Sequence, residues 1–351
     1  MMAKEHTVLN RLLNDPGFAS SAPYASLRAM PLGYVDVGAR GGVHPLLEPL
    51  AGVTAVLGFE PDLEECARMQ EDARNGTPWS VCDIDPSALA AGDGDATLYL
   101  LAAATNHSLR RPNEAFTGRY NMVKFEQKGI FPLRTTSLDK LLFGSRQNQP
   151  FWGELLKLDT QGTEFEILQG AQRTLQERTV AVLSEVEFCQ IYKGQKLFSE
   201  IELMLRECGF SFYGFTSMHY RSCRQLDKRI EVGRERALYA DAVFLKDPLP
   251  GGFQRNPLSD RGVHVLFSSA MLLGFYDFAL ELALKTWAEG AEAKRIESLV
   301  RRYAAVPPQS AYNDVITLAE RVRANPDRAN VAVGRFVDQY RQWCDYDDIS
   351  L

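Results

Sequence analysis

Two segments decide the fold of this chain: GYVDVGARGG at residues 33–42 and GFEPD at residues 58–62. The first is an apolar strand that runs into a glycine turn. The second closes a further apolar run, Val53 to Phe59, with a carboxylate, Glu60. Glycines in such a turn let the backbone approach a ligand closely. An acid about 20 residues after the turn can hold ribose hydroxyls. The two segments therefore predict a nucleoside-binding α/β domain.

The glycine spacing narrows the choice of nucleoside. Gly38-x-x-Gly41-Gly42 departs from the G-x-G-x-x-G pattern that cradles a dinucleotide pyrophosphate. An NAD-dependent oxidoreductase is therefore the weaker interpretation. A nucleoside without a phosphate, such as S-adenosylmethionine, fits this turn better.

The composition is that of a globular protein, with 351 residues, 45% of them hydrophobic, and a formal net charge of -6. The acidic balance disfavours a broad nucleic-acid surface, so we expect no nucleic-acid partner. The cysteines form no C-x-x-C pair, which argues against a zinc site or a disulfide framework and suits a reducing cytosol. They are Cys66, Cys82, Cys189, Cys208, Cys223 and Cys344.

No segment predicts a signal peptide or a membrane span. The N-terminus, Met1 to Pro16, has no apolar core. The most apolar stretch, Val263 to Trp287, is interrupted by Asp277, Glu281 and Lys285, which lie four residues apart and form one polar stripe on a helix. We therefore expect a cytoplasmic protein without a transmembrane segment.

Apolar strands alternate with helical patterns up to Leu245, which predicts a mostly parallel sheet covered on both faces. The predicted strands are 33–37, 53–59, 79–83, 154–159, 180–186, 210–215 and 240–245, and the predicted helices are 7–13, 63–74, 163–175 and 198–208. Around Asp93-Gly94-Asp95 we expect a hairpin between residues 88–90 and 97–101.

After Pro248 to Gly252 the pattern becomes entirely helical. Apolar residues at i, i+3, i+4 and i+7 predict about four helices in antiparallel pairs. These helices would cover the sheet, form a homodimer interface or bind a protein partner. We expect an N-terminal helix and loop over residues 1–30, the nucleoside-binding domain over residues 31–248 and a helical C-terminal module over residues 253–351.

Further motifs resemble the FkbM-type methyltransferases. Besides the glycine turn and GFEPD, they are TSLD at residues 136–139, LKLDTQGTE at 156–164, LQGA at 168–171 and SEVEF at 184–188. The resemblance covers roughly residues 33 to 247. It implies a class I Rossmann-like methyltransferase fold, followed here by an all-helical extension. It also implies the use of S-adenosylmethionine to methylate hydroxyl groups of sugars or natural products. One departure is the loop Thr105 to Leu109, where related sequences often carry a run of serines.

The cofactor-binding residues are expected mainly in the two segments that open the domain. Asp36 would orient the glycine turn and reach the methionine amino group, or else cap the following helix. Glu60 would accept hydrogen bonds from both ribose hydroxyls. Arg40 would be solvated or reach the methionine carboxylate. Asp83 or Asp85 would bind the adenine amino group or lie in a turn. The expected set is Asp36, Gly38, Ala39, Arg40, Gly41, Gly42, Glu60, Pro61 and Asp83.

Methyl transfer to oxygen is an in-line displacement, which needs aligned reactants and a base for the hydroxyl proton. Asp159 ends the fourth strand of the large sheet, where the fold would turn it toward the acceptor. Lys157 shares the strand face of Asp159 and would pair with a carboxylate. The expected catalytic residues are Asp159, Glu187 and His107, and the alternative bases are Glu185, His44 and His219.

Other activities are less consistent with the sequence. Magnesium held by Asp159 with Glu185 or Glu187 would require a spaced ligand motif that is not evident, so no metal is expected. A nucleic-acid base methyltransferase would carry Asn/Asp-Pro-Pro-aromatic where this chain has DTQG at residues 159–162. The sequence therefore predicts an O-methyltransferase that acts on a small-molecule or glycan acceptor. The alternative is a catalytically silent nucleoside-binding scaffold that recruits a partner through its helical tail.

Overall fold

The computed structural model describes residues 9–149, 151–227, 231, 233–254, 256–287, 290–305 and 308–341. Within these residues the strands are β1 (Leu32–Val37), β2 (Thr54–Phe59), β3 (Val81–Asp85), β4 (Ala88–Leu89), β5 (Gly94–Leu101), β6 (Gln127–Thr136), β7 (Leu155–Leu158), β8 (Ala181–Glu187), β9 (Ser211–Arg221) and β10 (Arg236–Leu245).

The α-helices in the same ranges are α1 (Pro16–Ala19), α2 (Ala22–Ala29), α3 (Leu63–Asn75), α4 (Glu114–Arg119), α5 (Leu138–Lys140), α6 (Glu164–Gln169), α7 (Gln172–Glu177), α8 (Phe198–Glu207), α9 (Asp260–Leu273), α10 (Tyr276–Thr286), α11 (Ala291–Ala304), α12 (Pro308–Ala324) and α13 (Ala329–Arg341). Short 3-10 helices cover Leu9–Asn14, Pro45–Val53, Ala104–Asn106, Val123–Phe125 and Pro326–Arg328, and a π-helix covers Leu141–Ser145. The helix predicted at residues 7–13 begins outside the described residues.

The large sheet has the strand order β3-β2-β1-β7-β8-β10-β9. The strands from β3 to β8 in this order run parallel, and β10 lies antiparallel to β8. Counted along the chain within this sheet, the order is 3-2-1-4-5-7-6. This is the class I Rossmann-like methyltransferase order, so the predicted fold is confirmed. The carboxyl ends of the parallel strands meet at one edge of the sheet, where such folds bind ligands.

The central strands are continuous apolar runs because both faces of the sheet are covered. Successive side chains point to opposite faces. Tyr34 and Leu155 lie in the apolar layer that also contains residues of α9, α10 and α11. Val35 and Leu156 lie in the layer that also contains residues of α6, α7 and α8.

A second, three-stranded sheet corrects one prediction. Residues 88–90 and 97–101 do not form a hairpin, because β6 lies between β4 and β5. β6 is parallel to β4 and antiparallel to β5. The sequence of β6 did not indicate a strand because it contains Pro132 and its side chains are mostly exposed or half-buried, without apolar alternation.

Two helical predictions also change in detail. The helix predicted over residues 163–175 is divided into α6 and α7 at Gly170, where a Cβ atom would lie 2.2 Å from the Ala90 carbonyl oxygen. The described part of residues 253–351 contains five α-helices rather than about four, because Gly274 adopts a left-handed conformation and separates α9 from α10. No described helix is long and apolar enough to cross a membrane. None of the five described cysteines forms a disulfide, and Cys344 lies outside the described residues.

The described chain divides into two compact units, one formed by residues 1–219 and 237–304 and the other by residues 220–236 and 305–351. Helices α9 to α11 thus belong to the unit that contains the sheet. In the second unit, α12 and α13 contact each other. Whether residues 253–351 act as a module of their own stays a prediction.

Arg261 at the start of α9 joins this helix to the amino-terminal edge of the sheet. Its guanidinium donates to both carboxylate oxygens of Glu154, at 2.7 and 2.8 Å. It also donates to the carbonyl oxygens of Ser26, Met30 and Pro31, at 2.7 to 2.9 Å. Glu154 lies directly before β7 and in turn accepts from the amide of Gly33 in β1, at 2.9 Å. One buried ion pair therefore links α2, α9, β1 and β7.

We expect Arg261→Met to lower the free energy of unfolding by about 3–5 kcal/mol, because it leaves the buried Glu154 carboxylate without its cation. Urea unfolding at neutral pH measures this change. Arg295→Met is the matched control, since Arg295 pairs with Glu292 near the surface and should contribute less than about 1 kcal/mol. Equal losses in the two variants would contradict the central role of Arg261.

Candidate cofactor and acceptor site

A cleft opens at the carboxyl edge of the sheet, next to the ends of β1, β2 and β7. Its polar lining includes Arg40, Glu60, His107, Asp159 and Gln161. Parallel strands bring these side chains together although they are far apart in the sequence. The cleft therefore unites both halves of the predicted site, the ribose carboxylate and the acid after the fourth strand.

Glu60 occupies the position expected of a ribose-binding carboxylate. The residue is only 4% exposed, and its Oε1 accepts a hydrogen bond from the Asp62 amide at 2.8 Å. Arg40 lies 3.6 Å from the same oxygen and 3.0 Å from Asp62 Oδ2. The second oxygen of Glu60 has no hydrogen-bond partner among the described residues. Burial raises the pKa of Glu60.

The wall beside Glu60 is apolar. It is formed by Phe59, Ala88, Leu89, Leu98 and Ile167. Two of these residues come from β4 and one from β5, so the small sheet completes this part of the cleft. A flat apolar wall next to a carboxylate suits a planar base joined to a ribose.

The glycine turn contributes less lining than expected. Gly38, which has a φ of 81°, lines the cleft, whereas Ala39, Gly41 and Gly42 do not. The amides of Gly38 and Ala39 both donate to the Phe59 carbonyl oxygen, at 3.2 and 3.1 Å. Those of Gly41 and Gly42 donate to Glu65 Oε1 and the Ala39 carbonyl, at 2.9 and 3.0 Å. The turn therefore uses its amides to fix its own shape.

Asp36 lies beneath the turn and is fully buried. Its Oδ2 accepts from the His44 amide at 2.7 Å, and its Oδ1 lies 3.2 Å from the Lys157 ammonium. Asp36 is also absent from the cleft lining. The structure thus gives Asp36 the task of holding the turn, and it does not bring this carboxylate to the cleft where it would meet a methionine amino group.

Asp83 and Asp85 form an ion-pair cluster with Arg146. The two Arg146 terminal nitrogens lie 2.5 Å from Asp83 Oδ2 and 2.9 Å from Asp85 Oδ2. Neither acid lines the cleft. The Asp85 carbonyl accepts from the Glu60 amide at 3.1 Å, so this strand end supports Glu60 through its backbone. The Asp83 side chain thus pairs with Arg146 outside the cleft lining, and its adenine contact stays a prediction.

On the opposite side of the cleft, Asp159 follows β7 with 39% of its side chain exposed. Its Oδ2 is 3.8 Å from the Lys157 ammonium. Its Oδ1 accepts a hydrogen bond from Gln161 Nε2 at 2.8 Å. The same Nε2 donates to Glu185 Oε2, also at 2.8 Å. Burial and the nearby Asp159 carboxylate raise the pKa of Glu185 well above its usual range.

His107 reaches the cleft but in the tautomer that does not suit a base. Its Nδ1 accepts a hydrogen bond from the Leu101 amide at 3.1 Å. The neutral imidazole therefore carries its proton on Nε2, and this nitrogen is a hydrogen-bond donor. Burial, followed by the charge of Arg40, lowers the pKa of His107. His107 is thus suited to donate a hydrogen bond in the cleft.

Glu187 is 1% exposed and does not line the cleft. Burial raises the pKa of its carboxyl well above the usual range, and the charge of Glu164 adds to the effect. The structure therefore does not bring Glu187 to the acceptor side as expected. Glu185, two residues earlier on β8, is the acid that joins Asp159.

The remaining alternative bases lie outside the cleft lining. His44 Nδ1 accepts from the Leu46 amide at 3.2 Å, and burial lowers the pKa of His44. His219 stacks on Tyr239 with 4.2 Å between the ring centroids. Among the residues that the structure describes, no group of three or more His, Cys, Asp or Glu side chains is placed to hold a metal ion.

The comparisons with known proteins agree with this geometry. The family model described as methyltransferase FkbM domain matches residues 36–212 of the chain. The chain belongs to this family. It is therefore an S-adenosylmethionine-dependent methyltransferase, and the resemblance noted in its motifs is confirmed.

Solved structures similar to this FkbM-family methyltransferase include two methyltransferases. Magnesium protoporphyrin IX methyltransferase from Synechocystis PCC 6803, with bound SAM, is 12% identical over 63% of this chain and 75% of that chain, with a TM-score of 0.31. Methyltransferase FkbM from Methylobacillus flagellatus KT is 12% identical over 69% of this chain, with a TM-score of 0.35. The match spans about half of that second chain, 49%. No curated protein matches the chain.

The residues of the cleft fit S-adenosylmethionine. Glu60, a residue that is only 4% exposed, keeps one carboxylate oxygen without a protein donor, and ribose hydroxyls require such an acceptor. The apolar wall from Phe59 to Ile167 provides a surface for the adenine ring. Arg40 lines the same cleft and supplies a positive charge next to the Glu60 carboxylate.

Sequence reasoning missed three residues that organise the site. Arg146, Ser108 and Gln161 each contact a predicted site residue or its loop. Arg146 had no local signal, because its carboxylate partners lie about 60 residues away in the chain. Gln161 lies directly before Gly162 in the motif at residues 156–164. The available signal was its place among the polar residues that follow a buried strand.

We expect the affinity for S-adenosylhomocysteine to fall with falling pH, because ribose hydroxyls donate to the ionised Glu60 carboxylate. Since burial raises the pKa of Glu60, the loss begins at a higher pH than for an ordinary glutamate. Glu60→Gln should weaken binding roughly 10- to 100-fold, the value of a charge-assisted hydrogen bond, and should flatten the pH dependence. Calorimetric titration between pH 8 and pH 5 measures both effects. Glu64→Gln, an exposed change at the start of α3, is the control and should bind like the wild type.

Proposed function

We propose that this methyltransferase transfers a methyl group to a hydroxyl group of a sugar, a glycan or a natural-product intermediate. The observation that carries the proposal is the position of Asp159. This carboxylate lies in the same cleft as the ribose-binding Glu60 and keeps 39% of its side chain exposed. A reactive hydroxyl needs such a group, because its proton must leave as the oxygen–carbon bond forms.

In the proposed reaction the protein residues align the acceptor and remove its proton. S-adenosylmethionine supplies an activated methyl group on a sulfonium. Asp159 accepts the hydrogen bond of the acceptor hydroxyl and takes its proton during the displacement. The Lys157 ammonium lies 3.8 Å from Asp159 Oδ2 and helps to hold this carboxylate in place. Because Asp159 is partly exposed, the proton then passes to water.

Two arguments support a hydroxyl acceptor: the hydrogen-bonding groups that line the cleft, and the family to which the chain belongs. The cleft offers a hydrogen-bond acceptor on Asp159 and a donor on His107, which together suit a group that both donates and accepts. Family membership supports sugars and natural products as the acceptor class by analogy. The loop Thr105 to Leu109 lies at the cleft, so its departure from the usual serines is a candidate cause of altered acceptor preference.

We expect Asp159→Asn to lower the rate of methyl transfer roughly 100- to 10,000-fold, while binding of S-adenosylhomocysteine stays close to that of the wild type. Transfer of labelled methyl groups to a panel of methyl glycosides measures the rate. Asp95→Asn on β5, where the acid is almost fully exposed, is the control. A silent scaffold, the alternative function, would bind the cofactor product but show no transfer to any acceptor in the wild type.

We further propose that the protein acts in the cytoplasm and self-associates through its C-terminal helices. The absence of disulfides among the described cysteines is consistent with a reducing compartment. On α12, Tyr312, Val315 and Ile316 share one face at i, i+3 and i+4 spacing and are 59%, 50% and 42% exposed. Adjacent exposed apolar side chains favour an interaction surface.

If a second copy covers this face, Val315→Lys combined with Ile316→Lys should convert a dimer into a monomer. The reason is that two buried ammonium groups would lose their hydration at the interface. Sedimentation velocity over a range of concentrations measures the change. Glu320→Lys, also on an exposed position of α12, controls for altered charge. A wild-type protein that stays monomeric at every concentration would contradict self-association.

A further inference from the structure

Gln161 connects the two carboxylates at the acceptor side of the cleft. Its backbone has a φ of 60°, a left-handed conformation that is uncommon for residues other than glycine. Gly162 after it has a φ of 99°. Residues held in such conformations concentrate at functional sites, where the surrounding contacts maintain them. The contacts of Gln161 are therefore a guide to its task.

The side-chain amide of Gln161 uses both its donor and its acceptor ends. Nε2 donates to Asp159 Oδ1 and to Glu185 Oε2, each at 2.8 Å. Oε1 lies 3.0 Å from the Tyr192 hydroxyl, whose single proton it shares with the Asn106 carbonyl oxygen. Rotating the amide by 180° would set its oxygen against two carboxylates, so the donors and acceptors define its orientation.

Tyr192 is a reliable donor in this arrangement. The residue is 1% exposed, and burial, with the charge of Glu185, raises the pKa of its phenol well above the usual range. The hydroxyl therefore keeps its proton at every pH at which the protein works. Its second neighbour, the Asn106 carbonyl oxygen at 2.9 Å, belongs to the loop beside the cleft.

The backbone of Gln161 is tied to the same loop. Its carbonyl oxygen accepts from Ser108 Oγ at 2.7 Å. Ser108 is 1% exposed, and its oxygen also accepts from the Arg110 amide at 2.9 Å. Gln161 is thus held by its backbone and its side chain at once, between the loop of residues 105–109 and the ends of β7 and β8.

We propose that Gln161 is the positioning residue of the methyl-transfer site, and that its amide holds the Asp159 carboxylate in the orientation that receives the acceptor hydroxyl. This inference rests on the proposed role of Asp159 as the base. Gln161 itself acts through Asp159 and moves no proton.

A neutral amide suits this position because the surroundings are already acidic. Besides Asp159 and Glu185, the charged groups that face this cluster are Lys157 from β7, Glu164 from α6, Glu187 from β8 and Asp241 from β10. Two donors on one uncharged group can hold two carboxyl groups side by side without adding a third negative charge. An acid at residue 161 would repel both.

The first test observes the hydrogen bonds of the Gln161 side-chain amide directly and needs no acceptor molecule. In protein labelled with 15N at glutamine side chains, the Gln161 signals are assigned by their absence in Gln161→Met. We expect both amide protons to exchange slowly with water, and their shifts to follow pH because burial raises the pKa of Glu185, one of the two acceptors. Glu185→Gln should reduce this pH dependence. Rapidly exchanging, pH-independent signals in the wild type would overturn the proposal.

The second test measures transfer to methyl glycosides and binding of S-adenosylhomocysteine in the same variants. Gln161→Met keeps the side-chain length but removes every side-chain hydrogen bond, and should lower kcat roughly 100-fold, the effect of a displacement of about 1 Å. The affinity of the Gln161→Met variant for S-adenosylhomocysteine should change by much less than the affinity of the Glu60→Gln variant. Gln172→Met is the matched control, since Gln172 donates to the Leu168 carbonyl on α6, outside the cleft lining.

The conservative variant Gln161→Glu separates positioning from mere stability. When its carboxyl group is protonated it can donate one of the two lost hydrogen bonds, so its activity should rise as the pH falls, opposite to the wild type. A Gln161→Met rate equal to that of Gln172→Met would overturn the positioning role. A wild-type protein that does not bind S-adenosylhomocysteine would instead refute the proposed function. The labelled Gln161 amide would still show whether Gln161 holds Asp159 and Glu185.

Discussion

The ammonium group of Lys157 is the interaction on which both halves of the site depend. It lies 3.2 Å from the fully buried Asp36, 3.5 Å from the Gly38 carbonyl oxygen and 3.8 Å from Asp159. Burial acts to lower the pKa of Lys157, but the carboxylates of Asp36 and Asp159 outweigh burial and raise it. A buried pair of this kind is maintained only when each partner keeps its other contacts. The Lys157 ammonium therefore contacts both the glycine turn on the cofactor side and the Asp159 carboxylate on the acceptor side.

The fold separates this chemistry from the interactions that hold the layers together. At the carboxyl edge of the sheet, Glu60 and Asp159 line the cleft, and Lys157 and Gln161 contact Asp159. At the amino edge, Arg261 of α9 binds Glu154 and the carbonyl oxygen at the end of α2, and so joins these elements. Between the two edges the strands are apolar on both faces. The loop at residues 105–109, the proposed cause of altered acceptor preference, lies at the cleft and outside both apolar layers.

The sequence predicts those parts of the fold whose signal is local. β1, β2, β7 and β8 are uninterrupted apolar runs, and Glu60 and Asp159 follow two of them directly. β6 was missed because its ten residues are mostly exposed or half-buried and include Pro132. The partners of Asp36 and Asp83 were only partly predicted, because Lys157 and Arg146 are brought to them by strand order and loop packing. Which nitrogen of His107 carries the proton depends on the Leu101 amide, which no pattern of residue types reveals.

The contacts of Arg261 also bear on how the chain is synthesised. Its guanidinium binds the carbonyl groups of Met30 and Pro31, which precede it by more than 200 residues. As the ribosome releases the chain, Glu154 stays without its cation until α9 has emerged. Native contacts between such distant residues slow folding, because the closure of a long loop precedes the gain in stability. The sheet thus has to remain soluble while it is incomplete, because its contacts with Arg261 form only after this residue has been made.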